Sequence, residues 1–140
     1  MSNIKHVNVI SHKDEVLKAT DEAIEKALTY VGIEWQGAAS AMGPVVTGRL
    51  MASLNYVTST GRGEPTRDKL KEGGKLESDD YTPRSSPPKH TVVLGTNVEY
   101  GEKIEEGGAK EERHSHFIRN SLNNNKEQFK HIIEEELASL

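Results

Sequence analysis

The chain has 140 residues, no cysteine and a formal net charge of −4, with 34% hydrophobic and 29% charged residues. This length suits one domain with its own core, and the lack of cysteine excludes a disulfide framework and a thiol nucleophile. The sequence has no apolar run near the ~20 residues of a membrane span, no signal-peptide pattern and no strongly basic stretch for nucleic-acid phosphates. We therefore expect a soluble cytoplasmic domain.

A short strand and one long helix are predicted for the first third of the chain. Residues 4–10 are typical of a strand, and Ser11 and Asp14 are residue types that begin helices. Apolar residues then recur every three, four or seven positions: Leu17, Ile24, Leu28, Val31, Trp35, Ala38 and Met42. This spacing predicts an amphipathic helix of about eight turns, which ends at Gly43-Pro44. Four charged residues are expected mostly off the stripe: Asp21, Glu22, Glu25 and Lys26.

Two β-branched stretches, residues 54–60 and 91–96, are predicted to pair as antiparallel strands. Residues 61–90 between them hold four of the five prolines and are otherwise mostly polar. A stretch this polar buries too little apolar surface to offset the entropy of ordering it. It is therefore either a functional loop or a tolerated flexible insertion at the tip of the hairpin.

The basic residues of this insertion concentrate in its first half, where they could contact the phosphates of DNA. Acidic residues interrupt them, so a solvated loop of mixed charge is favoured over a phosphate-binding patch. The candidate contact residues are Arg62, Arg67, Lys69, Lys71, Lys75 and Tyr81.

The last third of the chain is predicted to be helical. A short helical turn after Asn97 closes at Gly107-Gly108, and Ser115 is predicted to cap the final helix. Residues 123–125 are all asparagine, which lowers helix propensity and predicts a bend. The apolar stripe of this helix comprises Ile118, Leu122, Phe129, Ile132, Ile133, Leu137 and Leu140. The predicted fold class is α+β: one domain spanning residues 1–140, in which a long N-terminal helix and a C-terminal helix pack on a small antiparallel sheet that carries the long polar hairpin insertion.

Histidine is the residue type that would point to an enzyme. His114 and His116 have the spacing of two metal ligands on a strand, but here they straddle a helix start, where alternate residues point in different directions. His131 lies further along the helix. No nucleophile elbow, phosphate-binding loop or dinucleotide fingerprint is present in the sequence. We therefore expect no enzyme, no cofactor and no metal. A small nucleic-acid-binding module and a metal-dependent enzyme using His114 and His116 are kept as alternatives.

Three separated segments carry a family pattern: PVVTGRLMASL at 44–54, VLGTNVEYGEKIEEG at 93–107 and RHSHFIRNSL at 113–122. In this order they resemble the tail-component family of long-tailed bacteriophages, also called neck or tail-completion proteins. The corresponding family patterns are P-x-x-T-G-x-L-x-x-S-I/L, V-G-T-N-x-x-Y-A-x-x-x-E-x-G and R-P-F-L-R-P-A-L. This chain departs from them at Gly101, where alanine is common, and at His116 and Asn120, where prolines are usual.

The resemblance implies a structural protein of the virion neck or tail that is assembled in the host bacterial cytoplasm. It implies a homo-oligomeric ring, with six-fold symmetry favoured, that contacts head-closure, tail-terminator and tail-tube proteins. DNA would pass through the ring without specific binding. As a hypothesis, residues 61–90 are an assembly arm that is disordered in the free protein and ordered by neighbouring subunits. The structural and assembly candidates are Thr47, Gly48, Leu50, Gly95, Thr96, Asn97, Tyr100, Glu105, Gly107, Phe117, Ile118 and Arg119.

Overall fold

The computed structural model describes residues 5–6, 14–43, 48–81, 86–108 and 114–140. A small antiparallel sheet with a long N-terminal helix and a helical C-terminus confirms the predicted α+β fold. No helix in these ranges is both long enough and apolar enough to cross a membrane. The elements in chain order are β1 (Lys5–His6), α1 (Asp14–Ser40), α2 (Arg49–Ser53), β2 (Asn55–Val57), a 3₁₀ turn (Arg67–Lys69), α3 (Ser78–Tyr81), β3 (Thr91–Gly95), α4 (Gly101–Lys103), a π-helical turn (Ile104–Gly108), α5 (Phe117–Asn124) and α6 (Lys126–Ala138).

Helix α1 buries the apolar stripe that its spacing predicts. Its core-facing side chains are Ile24, Leu28, Val31, Trp35 and Ala39. Gly32 brings strand β2 close to this helix, because a Cβ at this position would lie 2.3 Å from the Tyr56 ring. Ala38 and Met42 are half-buried at the end of the stripe, and the side chain of Leu17 lies outside the described residues. The prediction for this helix is therefore confirmed along the stripe that the structure describes.

The sheet has the strand order β1–β3–β2, with both neighbours antiparallel to the central strand. Tyr56 lies opposite Leu94, which confirms the predicted pairing of these two stretches. Both side chains are buried on the side that packs against α1. Of the predicted strand at residues 4–10, the structure describes Lys5–His6, which pairs with β3.

Strand β2 is shorter than the predicted stretch because the chain turns back at its end. The Thr58 N–H donates to the Gly61 carbonyl at 2.7 Å, and the Gly63 N–H donates to the Tyr56 carbonyl at 2.9 Å. Val57 therefore bridges to Arg62 on one side while it pairs with β3 on the other. This tight turn places the start of the insertion against the outer edge of the sheet.

Helices α5 and α6 meet at Asn125, which confirms the predicted bend. Helix α6 runs antiparallel to α1, since Glu136 contacts Lys26 and Gln128 contacts Glu34. Phe117, Ile118 and Phe129 face the core, and Leu122, Ile132, Ile133 and Leu137 pack on it partly buried. The prediction for Leu140 is wrong: it is 64% exposed, because α6 ends at Ala138 and the apolar stripe ends with Leu137.

Candidate functional site

Arg49 joins the first two family-like segments to the insertion. Its Nε and Nη2 donate to the two oxygens of Asp80 in α3, at 3.0 and 2.8 Å. Its Nη1 and Nη2 donate to the two oxygens of Glu99, each at 3.0 Å. Two-point bonding of this kind fixes the orientation of both carboxylates. One guanidinium thus ties together residues that are 31 and 50 positions away in the sequence.

The two carboxylates around Arg49 differ in exposure. The side chain of Asp80 is 5% exposed, whereas that of Glu99 is 72% exposed. Hydrogen bonding from Arg49 lowers the pKa of Asp80 and of Glu99, and the same bonds, that to Asp80 first, raise the pKa of Arg49. The Tyr100 ring lies 5.9 Å from the guanidinium, and partial burial raises the pKa of its phenol. Of the two carboxylates, the buried Asp80 therefore depends more on Arg49 for compensation of its negative charge.

The lowered pKa of Asp80 predicts a loss of stability in acid. The folded chain holds this proton less tightly than the unfolded chain, whose aspartates titrate near a pKa of about 3.9. The stabilisation is therefore present above the unfolded pKa and is lost as the pH falls through the folded pKa. We expect Asp80→Asn to reduce the fall in unfolding free energy between neutral and acid pH, measured by urea unfolding at each pH. Asp79→Asn, at an exposed neighbour, is the control and should leave the fall unchanged.

A hydroxyl pair joins the same two segments inside the core. Ser53 Oγ donates to the Leu50 carbonyl at 2.6 Å and lies 2.5 Å from Thr96 Oγ1. The two hydroxyls are within hydrogen-bond distance of each other, and Thr96 Oγ1 also accepts the Val98 N–H at 3.0 Å. Both hydroxyls are buried. Their contact gives each of them a hydrogen-bonding partner, and a buried hydroxyl without a partner would destabilise the fold. Ser53 and Thr96 therefore fix the end of α2 to the end of β3.

Glu105 joins the second family-like segment to the third. Its Oε2 accepts the Ile118 N–H at 3.0 Å, and its Oε1 accepts the Arg119 N–H at 2.6 Å. These N–H groups belong to the first turn of α5, where a helix has no internal acceptors for them. The Glu105 carbonyl also contacts His116 Nδ1 at 2.5 Å. The carboxylate thus caps a helix that begins twelve residues later in the chain, and its charge suits the positive end of the helix dipole.

The prediction that Ser115 caps the last helix is wrong. Ser115 Oγ is buried without a hydrogen-bond partner among the described residues, and the residue before α5 is His116, in a left-handed conformation with φ 58°. A proline ring cannot adopt that angle, so the proline that is usual in the family pattern would not fit at His116 as this chain is folded. Glu105 takes over the capping role because the π-helical turn brings its side chain to the helix end.

The substitution Ser115→Ala distinguishes capping of α5 by Ser115 from capping by Glu105. If Ser115 were the cap, its removal would cost about 1 kcal/mol. Because its hydroxyl is buried without a hydrogen bond to any described residue, we expect the substitution to be neutral or to stabilise the fold by up to about 1 kcal/mol. The check is the midpoint of urea unfolding, and a midpoint shift corresponding to a clear loss of stability would restore Ser115 as the cap.

Three contacts thus hold the three family-like segments together: Arg49 to Glu99, Ser53 to Thr96, and Glu105 to the start of α5. Comparisons with protein-family models, curated proteins and solved structures found no match for this chain. The resemblance therefore depends on the sequence patterns of these segments, and its functional implications are predictions.

The other predicted residues of these segments serve the framework where they are described. Leu50, Phe117 and Ile118 are core side chains. Gly107 has φ 106° at the end of the π-helical turn, a conformation that favours glycine. Gly95 ends β3, and Arg119 is exposed on α5 apart from its capped N–H. Thr47 lies outside the described residues.

The first half of the insertion packs on α2 and its N-terminal cap. The Thr66 N–H donates to the Ala52 carbonyl at 3.0 Å. Gly48 has φ 80°, and a Cβ there would lie 2.0 Å from the Lys69 carbonyl oxygen, so only glycine allows this approach. The hypothesis that residues 61–90 are disordered in the free protein stays a prediction. The described part of the stretch follows a defined path across the domain.

The six arm candidates divide into two groups. Tyr81 lies between Arg62 and Arg67, whose guanidinium carbons are 5.9 and 5.7 Å from its ring centre. Arg67 Nη2 also donates to the Tyr81 hydroxyl at 3.2 Å. The remaining three have exposed side chains: Lys69, Lys71 and Lys75. The first group therefore holds the insertion in place, and the second is open to a partner.

The histidines of the C-terminal region are spread over different contacts. His116 bonds the Glu105 backbone, and His131 Nε2 lies 2.9 Å from Glu135 on the next turn of α6. Within the described ranges, no group of three or more His, Asp or Glu side chains is placed to hold a metal ion. His114 and His116 therefore have no third ligand among these residues.

One polar cluster, around Glu25, was missed by sequence reasoning. Glu25 is buried: its Oε1 accepts the Ser59 hydroxyl at 2.7 Å and the His90 N–H at 3.0 Å. Asp21, one turn earlier, contacts His90 Nε2 at 2.5 Å and Lys89 Nζ at 3.6 Å. The end of the insertion, Lys89 and His90, therefore packs on the side of α1 that is adjacent to its apolar stripe. The i, i+4 spacing of two carboxylates was the only sequence signal, and it is common on exposed helix faces.

Proposed function

We propose that this protein is a structural component of the head-to-tail connector of a long-tailed bacteriophage, a neck or tail-completion protein that forms or joins a ring around the DNA channel. The observation that carries the proposal is the meeting of the three family-like segments. Arg49, Ser53 and Glu105 hold them to one another by side-chain bonds. Residues shared with such a family would then preserve a framework, while the exposed insertion supplies contacts that differ between phages.

The charged residues on the surface of the described chain support a role in assembly rather than in catalysis. Arg49, Asp80 and Glu99 satisfy one another, which is the arrangement of a structural ion-pair network. The exposed lysines of the insertion are interrupted by Asp68, Glu72 and Glu77. A mixed-charge surface suits a protein partner better than a phosphate backbone, which favours an uninterrupted basic face. In this proposal the partners are head-closure, tail-terminator and tail-tube proteins, the location is the virion neck or tail, and DNA passes without specific binding.

Mass measurement by light scattering tests the proposal. The purified protein is measured alone and then mixed with head-closure, tail-terminator and tail-tube proteins of one phage, and we expect a ring, six-fold favoured, with at least one of them. Lys71→Glu/Lys75→Glu in the insertion should abolish that complex. Lys126→Glu/Lys130→Glu on α6 changes the charge equally at exposed lysines and should not.

Other outcomes would replace the proposal. A chain that remains monomeric with every partner, and that binds DNA with an affinity falling steeply with salt, would be a nucleic-acid-binding module. A purified chain that retains a stoichiometric metal ion, lost in His114→Ala/His116→Ala, would be a metalloprotein.

A further inference from the structure

The end of helix α3 lies in a recess that is lined by hydrogen-bond donors. Ser78–Tyr81, here called the acidic turn, presents two aspartates, a tyrosine and its backbone carbonyls. The recess is formed by Arg49, Asn55, Arg62, Arg67 and the N–H of Asn97. In this chain the recess therefore holds an acidic residue followed by an aromatic one, Asp80 and Tyr81.

Each group of the acidic turn that enters the recess has a donor matched to it. Besides the two bonds from Arg49 to the Asp80 carboxylate, the Asn97 N–H donates to the Asp80 carbonyl at 2.9 Å. Asn55 Nδ2 donates to the Tyr81 carbonyl at 3.0 Å. The Tyr81 ring and hydroxyl are held by Arg62 and Arg67. Charge and hydrogen bonding are thus complementary at every position of the dipeptide.

The acidic turn is connected to the rest of the domain by stretches long enough to reach another molecule. Residues 71–77 precede it, and within the part of the chain that the structure describes their hydrogen bonds lie within the stretch or reach the acidic turn itself. Seven residues of extended chain span up to about 25 Å. Seven residues, 82–88, separate Tyr81 from Lys89, which contacts Asp21 on α1. The same turn of a second copy could therefore occupy the same recess with every contact preserved.

We propose that this recess is a docking site for the acidic turn of a second copy of the chain, and that neighbouring subunits exchange these turns. Exchange replaces each contact by an identical one, so it needs little new binding energy and is driven by the local concentration of subunits. In the free chain the recess is filled by its own turn, which limits self-association. The proposal rests on the proposed ring for its setting, but the docking reaction can be measured without phage partners.

A peptide in trans tests the recess directly. The variant Asp80→Ala/Tyr81→Ala of the full chain removes the two side chains that fill the recess. A fluorescein-labelled peptide of residues 76–83 is titrated with this variant, and binding is followed by fluorescence anisotropy. We expect saturable binding that is at least about tenfold weaker for a peptide carrying Asp80→Asn, and again when Arg49→Ala is added to the chain. The wild-type chain should bind far more weakly, because its own turn competes at high effective concentration. Binding that is unaffected by Arg49→Ala, or absent, overturns the docking site.

Cross-linking between copies provides a second measurement that does not depend on the folding of the emptied variant. The chain has no cysteine of its own, so copies with Asp79→Cys are mixed with copies with Glu99→Cys and treated with a short bis-maleimide. Exchange predicts a product joining two chains in the assembled fraction, and none when Asp79→Cys copies are mixed with Ser139→Cys copies. If a ring assembles but the Asp79→Cys and Glu99→Cys copies are not cross-linked, the exchange proposal is wrong, whereas the connector proposal is unaffected. If the peptide binds the recess but no ring forms with any phage partner, the docking site is supported and the connector proposal is wrong.

Discussion

Arg49→Ala is expected to destabilise the fold by about 2–4 kcal/mol, somewhat less than the ~3–5 kcal/mol for breaking a fully buried ion pair, because the Arg49 side chain is 27% exposed. The cause is Asp80, whose buried carboxylate would lose both of its bonds from Arg49 while remaining in a site with little water. Glu99 is exposed and would be solvated instead. Urea unfolding followed by the fluorescence of Trp35, the only tryptophan and fully buried, measures the change.

Two further variants separate the causes of that loss. Arg49→Lys keeps the charge but cannot bond two carboxylates in a planar fork, so we expect an intermediate loss. Adding Asp80→Asn to Arg49→Ala removes the uncompensated charge, and the double variant should be more stable than the Arg49→Ala single variant. Equal stability of Arg49→Ala and the wild-type chain would show that Asp80 does not depend on this partner.

Glu105→Ala is expected to lower the free energy of unfolding by about 2 kcal/mol, since it removes two hydrogen bonds to a charged acceptor and a helix cap. The Ile118 and Arg119 N–H groups would lose their acceptor at the start of α5. Phe117 and Ile118 pack in the core from the same turn, so fraying there also weakens the packing. Hydrogen exchange at the amides of residues 118 and 119 should accelerate more than exchange within α6.

Glu106→Ala is the matched control, since Glu106 is the exposed neighbour of Glu105. This substitution should change stability by no more than about 0.5 kcal/mol. Glu105→Gln keeps an acceptor oxygen but loses the charge, and it should fall between the two. Unchanged exchange at residues 118 and 119 in Glu105→Ala would contradict the capping role.

Features that depend on neighbours in the sequence were predicted well. The stripe of α1 repeats over many turns, so a few misplaced residues do not obscure it. The pairing of the two β-branched stretches and the bend at Asn125 were also predicted, because β-branched side chains and asparagine act through their own backbone preferences. The end of β2 was missed, since a turn bond from Thr58 to Gly61 decides it.

The sequence by itself determined the α+β class, the long helix and the helical C-terminus, because periodicity and local propensity act over a few residues. Only the tertiary structure decided which polar residues meet. Glu105 rather than Ser115 caps α5 from thirteen residues before Ile118, and Glu25 is buried because His90, 65 residues later, bonds to it. Arg49 meets Asp80 across 31 residues. Such contacts follow from the folding of distant segments onto one core, and no local pattern of residues encodes them.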